Sequence, residues 1–372
     1  MRQSTLTVLF VVTVISAIAA IVTVRPDTSP STPTETSGGP ALPELKGRID
    51  SVAKMVITGP DGTIGLLRAP VPGKPAEGWT LSNKGDYPVM PSAVQPVIDG
   101  LLALRETEPM TAQPKLYSRL DLADPGKGSE ARLIELNDAS GAPIARVILG
   151  KRKYDPSGGG NDGIYMRLPD QPQTWLAAPA ISVPGDGLAL IDRTIVNIDP
   201  GKIKEMTLTS PTFPALNLAR AKTGDKLAVQ DAPKDSKFKT DDPGAEIASG
   251  VQALELDDVK PVAQVSGIPA GAVHVLTFDG LAVDLSLVVL DDLTWVTVSA
   301  TGSGEAAKQA DEITRRTKGW AYQIAKDRAE TLEKKLADVV DLPATPIDTN
   351  PHKSSSPAKP PAARAAKNGP AK

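Results

Sequence analysis

The chain has 372 residues and a formal net charge of −3, with 3% aromatic residues, 35 prolines, 31 glycines and no cysteine. The near-neutral balance gives no electrostatic footprint for nucleic acid, and the missing cysteines remove disulfides, thiolate nucleophiles and Cys-based metal sites together. With so few rings the core has to come from Leu, Val, Ile and Ala, and the many Pro and Gly residues favour short elements joined by turns over a helical bundle.

The first element is Leu6–Val24, a run without a charged residue. As a helix it would cover roughly 28 Å, close to the ~30 Å hydrocarbon thickness of a bilayer. Residues 1–25 are therefore expected to form a single-pass anchor, with the soluble part on the far side of the cell inner membrane, in the periplasm. A cleavable signal peptide is the other reading, with Arg2 before the apolar run and Ala17-Ile18-Ala19 as the cleavage site. Apolar character continues past that site through Ile21, Val22 and Val24, which favours the anchor. Residues 26–45 read as a disordered Pro/Ser/Thr linker. Treated as a coil, Arg25–Pro43 reaches roughly 25 Å, enough to hold a domain just off a membrane.

Residues 46–199 form the first expected unit. Val52–Thr58, Thr63–Ala69 and Trp79–Leu81 read as strands, with a turn at Gly59–Gly62. Ser92–Leu104 has apolar residues near helical spacing, with Ser92 as the expected N-cap after Pro91. Ala131–Asn137 and Ala142–Gly150 make a hairpin around Ser140-Gly141, Gly163–Leu168 and Thr174–Ala177 two short strands, and Ala180–Arg193 a helix. Residues 200–342 repeat this order. Ile203–Thr209, Leu216–Ala221 and Lys226–Val229 are strands, Asp242-Pro243 precedes a helix Ala245–Leu256, and Asp279-Gly280 joins Val273–Phe278 to Leu281–Leu290. Leu293–Ser299, a helix Ala306–Thr317, a strand Trp320–Ile324 after Gly319, and a helix Arg328–Val340 follow. Met55-Val56-Ile57-Thr58 stands opposite Met206-Thr207-Leu208-Thr209. The fold class is thus α+β: two similar β-hairpin-plus-helix units from an internal duplication, behind an N-terminal transmembrane helix. Residues 343–372 read as a disordered basic Pro/Ala/Lys tail.

Gly150-Lys151-Arg152 ends a strand, Tyr165-Met166-Arg167 follows a Gly-rich gap, and Trp175-Leu176, Leu190-Ile191-Asp192-Arg193 and Ile195–Ile198 come next. With the N-terminal span and the late Gly319-Trp320-Ala321-Tyr322 strand, this order resembles the family called domain of unknown function 4340, from about residue 46 to 341. The resemblance implies membrane anchoring and genes neighbouring those of an ABC-type transporter of the gliding-motility kind. Its permease or auxiliary subunits would then be partners. The family offers no catalytic residue to carry over.

The chemistry-bearing residues are sparse. Histidine occurs only at His274 and His352, without ligand spacing for a metal, and no Gly-x-Ser-x-Gly elbow presents a nucleophile. The Gly-rich stretch Ser157–Gly163 leads into a strand, whereas a phosphate loop opens a helix. Asp241-Asp242, Asp257-Asp258 and Asp291-Asp292 fall at expected turns. Trp320 and Tyr322 either stack on a sugar or pack in the core. No cofactor and no metal are expected. Lys151, Arg152, Lys153, Tyr165 and Arg167 flank the Gly-rich loop as a basic, partly aromatic surface for an anionic glycan or a partner, or as solvated strand ends. The expected function is a non-catalytic accessory or binding subunit of an ABC-type transporter. A carboxylate-dependent cell-envelope hydrolase and a cell-wall polysaccharide-binding module stand as alternatives.

Overall fold

The computed structural model describes residues 38–341, apart from 70, 72, 127, 156–161 and 235. The expected span Leu6–Val24, the linker as far as residue 37, the tail from 343 and most of the Gly-rich loop lie outside the described residues. Among the described residues no helix is long and apolar enough to cross a membrane. The protein is a mixed α+β structure of mostly antiparallel sheets with few helices.

Ordered packing starts earlier than the expected unit boundary at 46. Pro40 bridges Arg105, the Ala41 amide donates to the Leu104 carbonyl, and Ala41, Leu42 and Leu45 are buried. The Pro/Ser/Thr composition of residues 26–45 hid this, because three apolar side chains suffice to dock a short segment. Helix α1 (Leu45–Arg48) then leads into the first sheet.

The first sheet comprises β1 (Val52–Gly59), β2 (Gly62–Arg68), β3 (Trp79–Leu81), β4 (Tyr87–Pro88), β5 (Arg105–Pro109), β6 (Arg132–Asp138), β7 (Pro143–Lys153), β8 (Gly163–Arg167) and β9 (Thr174–Ala178). Its order is β4-β3-β2-β1-β6-β7-β8-β9-β5. Alternation puts Met55, Ile57, Ile64, Leu66, Ile134, Leu136, Val147 and Leu149 on one buried face. Helix α2 (Pro91–Ala103) buries Val94, Val97, Ile98 and Leu101, spaced so that they share a helix face. Its N-cap is Met90 rather than Ser92, because Pro91 already occupies the first helical position. The edge strand β5 reads Arg-Glu-Thr-Glu-Pro and has no apolar alternation to announce a strand. The expected helix Ala180–Arg193 is absent. Only a 3₁₀ turn at Leu188–Leu190 forms, since Pro184, Gly185 and Gly187 interrupt the segment.

After β10 (Thr194–Val196), the second sheet is built from β11 (Ile203–Thr209), β12 (Leu216–Ala219), β13 (Ala228–Val229) and, past β14 (Lys237–Phe238), α3 (Pro243–Ala248) and β15 (Leu254–Glu255), from β16 (Asp258–Pro261), β17 (Ile268–Thr277), β18 (Leu281–Leu290) and β19 (Leu293–Gly302). Helix α4 (Glu305–Thr317), β20 (Trp320–Gln323), α5 (Lys326–Leu332), α6 (Leu336–Val339) and β21 (Val340–Asp341) complete the chain. The order β13-β12-β11-β17-β18-β19-β20-β16 reproduces that of the first sheet strand for strand, with no equivalent of β4. The register break between Val52 and Lys54 of β1 recurs between Ile203 and Glu205 of β11. Arg68, at the end of β2, donates to the carbonyls of Ile49 and Val52; Arg220, just after β12, donates to those of Pro200 and Ile203. Each guanidinium thereby ties the turn before the first strand to the end of the second.

Two further expected helices are shorter than their spacing implies. The helix expected over Ala245–Leu256 ends at Ala248 and gives way to a 3₁₀ turn and β15. A side chain at Gly250 would meet Leu332, and Ala253 takes φ 45°, so a continued helix does not fit there. Arg328–Val340 is not one helix but α5, α6 and β21. On the near side of the expected boundary at 199, β10 pairs with β15 and the Ile198 amide donates to the Val251 carbonyl.

The two halves touch where the turn after β3 meets β16 and β20. Lys84 Nζ lies 2.6 Å from Asp258 Oδ1, and Tyr87 sets its ring edge-on to Trp320 at 4.9 Å and Tyr322 at 6.3 Å. A Cβ on Gly85, at φ 66°, would lie 2.4 Å from Pro261 Cγ, so glycine permits both the turn and the approach. Arg316 joins from α4, 3.0 Å from Asp192 and 2.8 Å from the Ile195 carbonyl.

Candidate functional site

The leading segment forms a wall of a cleft of about 460 Å³. Ala41–Leu45 face Pro143–Arg146 at the start of β7 and Leu168–Gln171 in the β8–β9 turn. Arg146 is among the lining residues, its Nε 3.0 Å from Glu135 Oε1 and its terminal nitrogen 3.6 Å from Asp170. The Asp170 carboxylate is 87% exposed, so this pair is largely screened by water and its Asp end is free to meet a partner.

A second cleft, of about 550 Å³, shares Pro169, Asp170 and Gln171 with the first. Its other walls are Pro114 and Tyr117, from the 3₁₀ turn Pro114–Leu120, with Ala123, Asp124, Arg167 and Pro172. Arg167 is 5% exposed. Its Nε donates to the Leu122 carbonyl at 2.9 Å, a terminal nitrogen donates to Asp124, and the guanidinium carbon sits 4.9 Å from the Tyr117 ring centre. The Tyr117 hydroxyl donates to the Pro172 carbonyl at 2.6 Å. Leu122, Ala131 and Ile148 are buried with Tyr117, forming a small second core on the outer face of the first sheet. The loop between β5 and β6 is thus fixed, with an acid at its rim, beside a groove lined by prolines.

The five expected site residues do not come together. Lys151, Arg152 and Lys153 are exposed at the end of β7. Arg152 lies 4.0 Å from Asp162 and 5.5 Å from the Tyr154 ring centre. Tyr165 is half-buried against the outer-face cluster. Arg167 pairs with Ile148, at the opposite end of the β7–β8 ladder from Arg152, and is committed to buried carbonyls. Sequence reasoning missed Glu44, Asp124, Arg146 and Asp170. Each is an ordinary charged residue near a turn, and only the meeting of three separate segments distinguishes them.

The remaining candidates have structural surroundings. His274 is exposed on the outer face of the second sheet, its Nδ1 2.7 Å from Asp284. Asp257 and Asp258 pair with Arg193 and Lys84, Asp242 caps α3 through the Ala245 amide, and Asp291-Asp292 take positive φ in the β18–β19 turn. Trp320 and Tyr322 belong to the junction between the halves, where burial raises the hydroxyl pKa of both Tyr87 and Tyr322, and the Tyr322 hydroxyl donates to the Arg316 carbonyl at 3.3 Å. Nε of Arg316 is buried there with no hydrogen-bond partner. Burial likewise raises the carboxyl of Glu106 on β5. Among the described residues no group of three His, Cys, Asp or Glu is placed to hold a metal ion.

The family profile described as Domain of unknown function (DUF4340) matches residues 79–267, just over half of the chain. The chain belongs to this family. The DUF4340 match starts in β3 and stops just before β17, so it crosses from the first sheet into the second and includes the junction turn, β5 and two walls of the first cleft. The leading segment Ala41–Leu45 lies outside it. No curated protein and no solved structure matches the chain.

Proposed function

We propose that this DUF4340 protein is a membrane-anchored extracytoplasmic subunit that binds rather than catalyses, working beside an ABC-type transporter and built by internal duplication of one α+β unit. The observation that carries this reading is the place of the first cleft in the chain. Its wall, Ala41–Leu45, is the last stretch of the linker expected over 26–45 and packs against the first sheet. If Leu6–Val24 sits in a bilayer, only residues 25–40 separate it from that wall, and they can span at most about 55 Å. The cleft is then held within that distance of the membrane surface, where a permease or auxiliary subunit presents its own soluble loops. The exposed acids Glu44, Asp170 and Asp124 favour a partner segment carrying Lys or Arg. Duplication is supported by the common strand order, the repeated register break, and the paired Arg68 and Arg220 clamps.

Two measurements test the reading. N-terminal sequencing of the mature protein is expected to find residues 6–24 retained; cleavage after Ala19 would remove the tether argument. Purification in mild detergent is expected to recover transporter subunits with the intact protein, and Glu44→Arg combined with Asp170→Arg to reduce that recovery. Isolation of the intact protein alone, under conditions that preserve the transporter, counts against the proposal.

A further inference from the structure

The inner face of the first sheet ends in a small pocket lined by two arginines. Its volume is about 190 Å³, and Arg132 and Arg152 line it together with buried Leu149, Ile164 and Ile181 and exposed Ser182. Arg132 is the first residue of β6 and faces Leu149. Arg152 reaches the same face through a bulge. The β7–β8 ladder pairs Leu149 with Met166 and then Arg152 with Ile164, so Gly150 and Lys151 of β7 stand against Tyr165 alone. A regular ladder would set Lys151 opposite Ile164; the extra residue turns Arg152 onto the core face instead.

The surroundings leave both guanidinium groups available. Among the described residues Arg132 has no acid in ion-pair range, and its hydrogen bond is a long one, from a terminal nitrogen to the Pro184 carbonyl at 3.4 Å. Most of its N–H donors are therefore left for water or a ligand. The β1–β2 turn makes room for that group, since a Cβ on Gly59 would lie 2.9 Å from the same nitrogen. Arg152 makes no hydrogen bond to a described residue. Asp162 lies 4.0 Å away, and its carboxylate accepts the Asp155 amide at 2.8 Å. Glu130 is the acid among the lining residues, so two cations meet one anion. The second half has no such arrangement. Its β18–β19 ladder runs from Leu281 to Leu290 without a break, and Gly271 stands where β6 has Arg132.

We propose that this pocket binds a compact oxyanion, a phosphate or a carboxylate, between the Arg132 and Arg152 guanidinium groups. Each guanidinium offers a planar fork that matches two oxygens of such a group, and the Ser182 hydroxyl adds a donor. The buried apolar residues on one side of the pocket make each of these hydrogen bonds stronger than on open surface. The pocket shares no lining residue with either cleft and is independent of the transporter reading.

The test titrates the full chain, in mild detergent, with inorganic phosphate at constant ionic strength, with chloride as the reference. Affinity is read from the rise in melting temperature. Phosphate is expected to raise it above the value in chloride. Arg132→Gln and Arg152→Gln should each weaken the apparent Kd about tenfold, as for loss of a charged donor. Lys151→Gln, one residue away and outside the lining, should leave it unchanged. Lys151 and Arg152 are both exposed, so this pair decides the result even if Arg132→Gln does not fold. Repeating the titration with acetate separates the two ligand classes: a stronger response to phosphate assigns a phosphate, and an equal or stronger response to acetate assigns a carboxylate. The proposal is overturned if neither anion exceeds chloride, or if Lys151→Gln weakens binding as much as Arg152→Gln, which would mean diffuse attraction to a basic surface.

Discussion

The two halves share a strand order and differ in what covers their sheets. In the first, the loop between β5 and β6 lies across the outer face, buries Tyr117 and Leu122 against Ile148, and is locked by Arg167. In the second, β16 reaches β17 through a short connection, and the outer face is left to Thr207, His274 and Asp284, the last two exposed. Extra chain enters instead between β19 and β20 as α4, whose Ala306, Ala310 and Ile313 join the main core. The shared part is the hydrogen-bonded framework, while the grooves that set the first half apart come from a connection, where insertions cost the sheet nothing.

That comparison can be broken most strongly at the arginine clamps. Arg68 donates to five backbone carbonyls and Arg220 to three. Replacement by Ala is expected to cost about 3 kcal/mol at Arg68 and about 2 kcal/mol at Arg220, by urea denaturation, because buried acceptors lose charged donors. A neutral effect at either one would mean that the two positions are not equivalent. Arg167→Met probes the difference rather than the likeness. About 2 kcal/mol of local stability should be lost, seen as faster hydrogen exchange at residues 117–124 with the second sheet unchanged. Slower exchange there, or an effect spreading to β17 and β18, would contradict a separately docked cover.

Tyr87→Leu removes the edge-on ring contact between the halves and should cost about 1 kcal/mol. Calorimetry is expected to show the two halves melting less cooperatively in this variant; an unchanged single transition would place the coupling elsewhere. The smallest effect is one the halves share. Hydrogen bonds from the Ser140 hydroxyl to Asp138, and from the Thr277 hydroxyl to Asp279, hold both carboxyls below the usual range. Since the folded-state pKa is depressed, the stabilisation is present above the unfolded value of about 3.9 and is lost as pH falls through the folded-state pKa. Asp138→Asn and Asp279→Asn should each flatten the fall of the urea midpoint below about pH 4; an acid limb unchanged in both would show that these turns do not carry it.

The strands of both hairpins were legible because alternation and turn residues are local signals. Met55 and Met206, Ser140-Gly141 and Asp279-Gly280 all fall where the pattern places them. The site was not legible. Arg167 looked like one member of a basic surface, yet its side chain is spent on the Leu122 carbonyl, more than forty residues away in sequence. β5 and β16 were missed because an edge strand needs no apolar face to pair, and the late helices were overdrawn because helical spacing persists across Gly250 and Glu333 while the backbone does not.

By itself the sequence determined the α+β class, the central hairpins and the family, since period-two alternation, Asp-Gly and Ser-Gly turns, and residue order survive without knowledge of the partner strand. Tertiary structure alone decided which edge each sheet ends on, that Ala41–Leu45 join the first core, and that Tyr87 meets Trp320 across the junction. Those contacts link segments far apart in the chain, and their energy comes from burial and hydrogen bonds that exist only once both segments are in place.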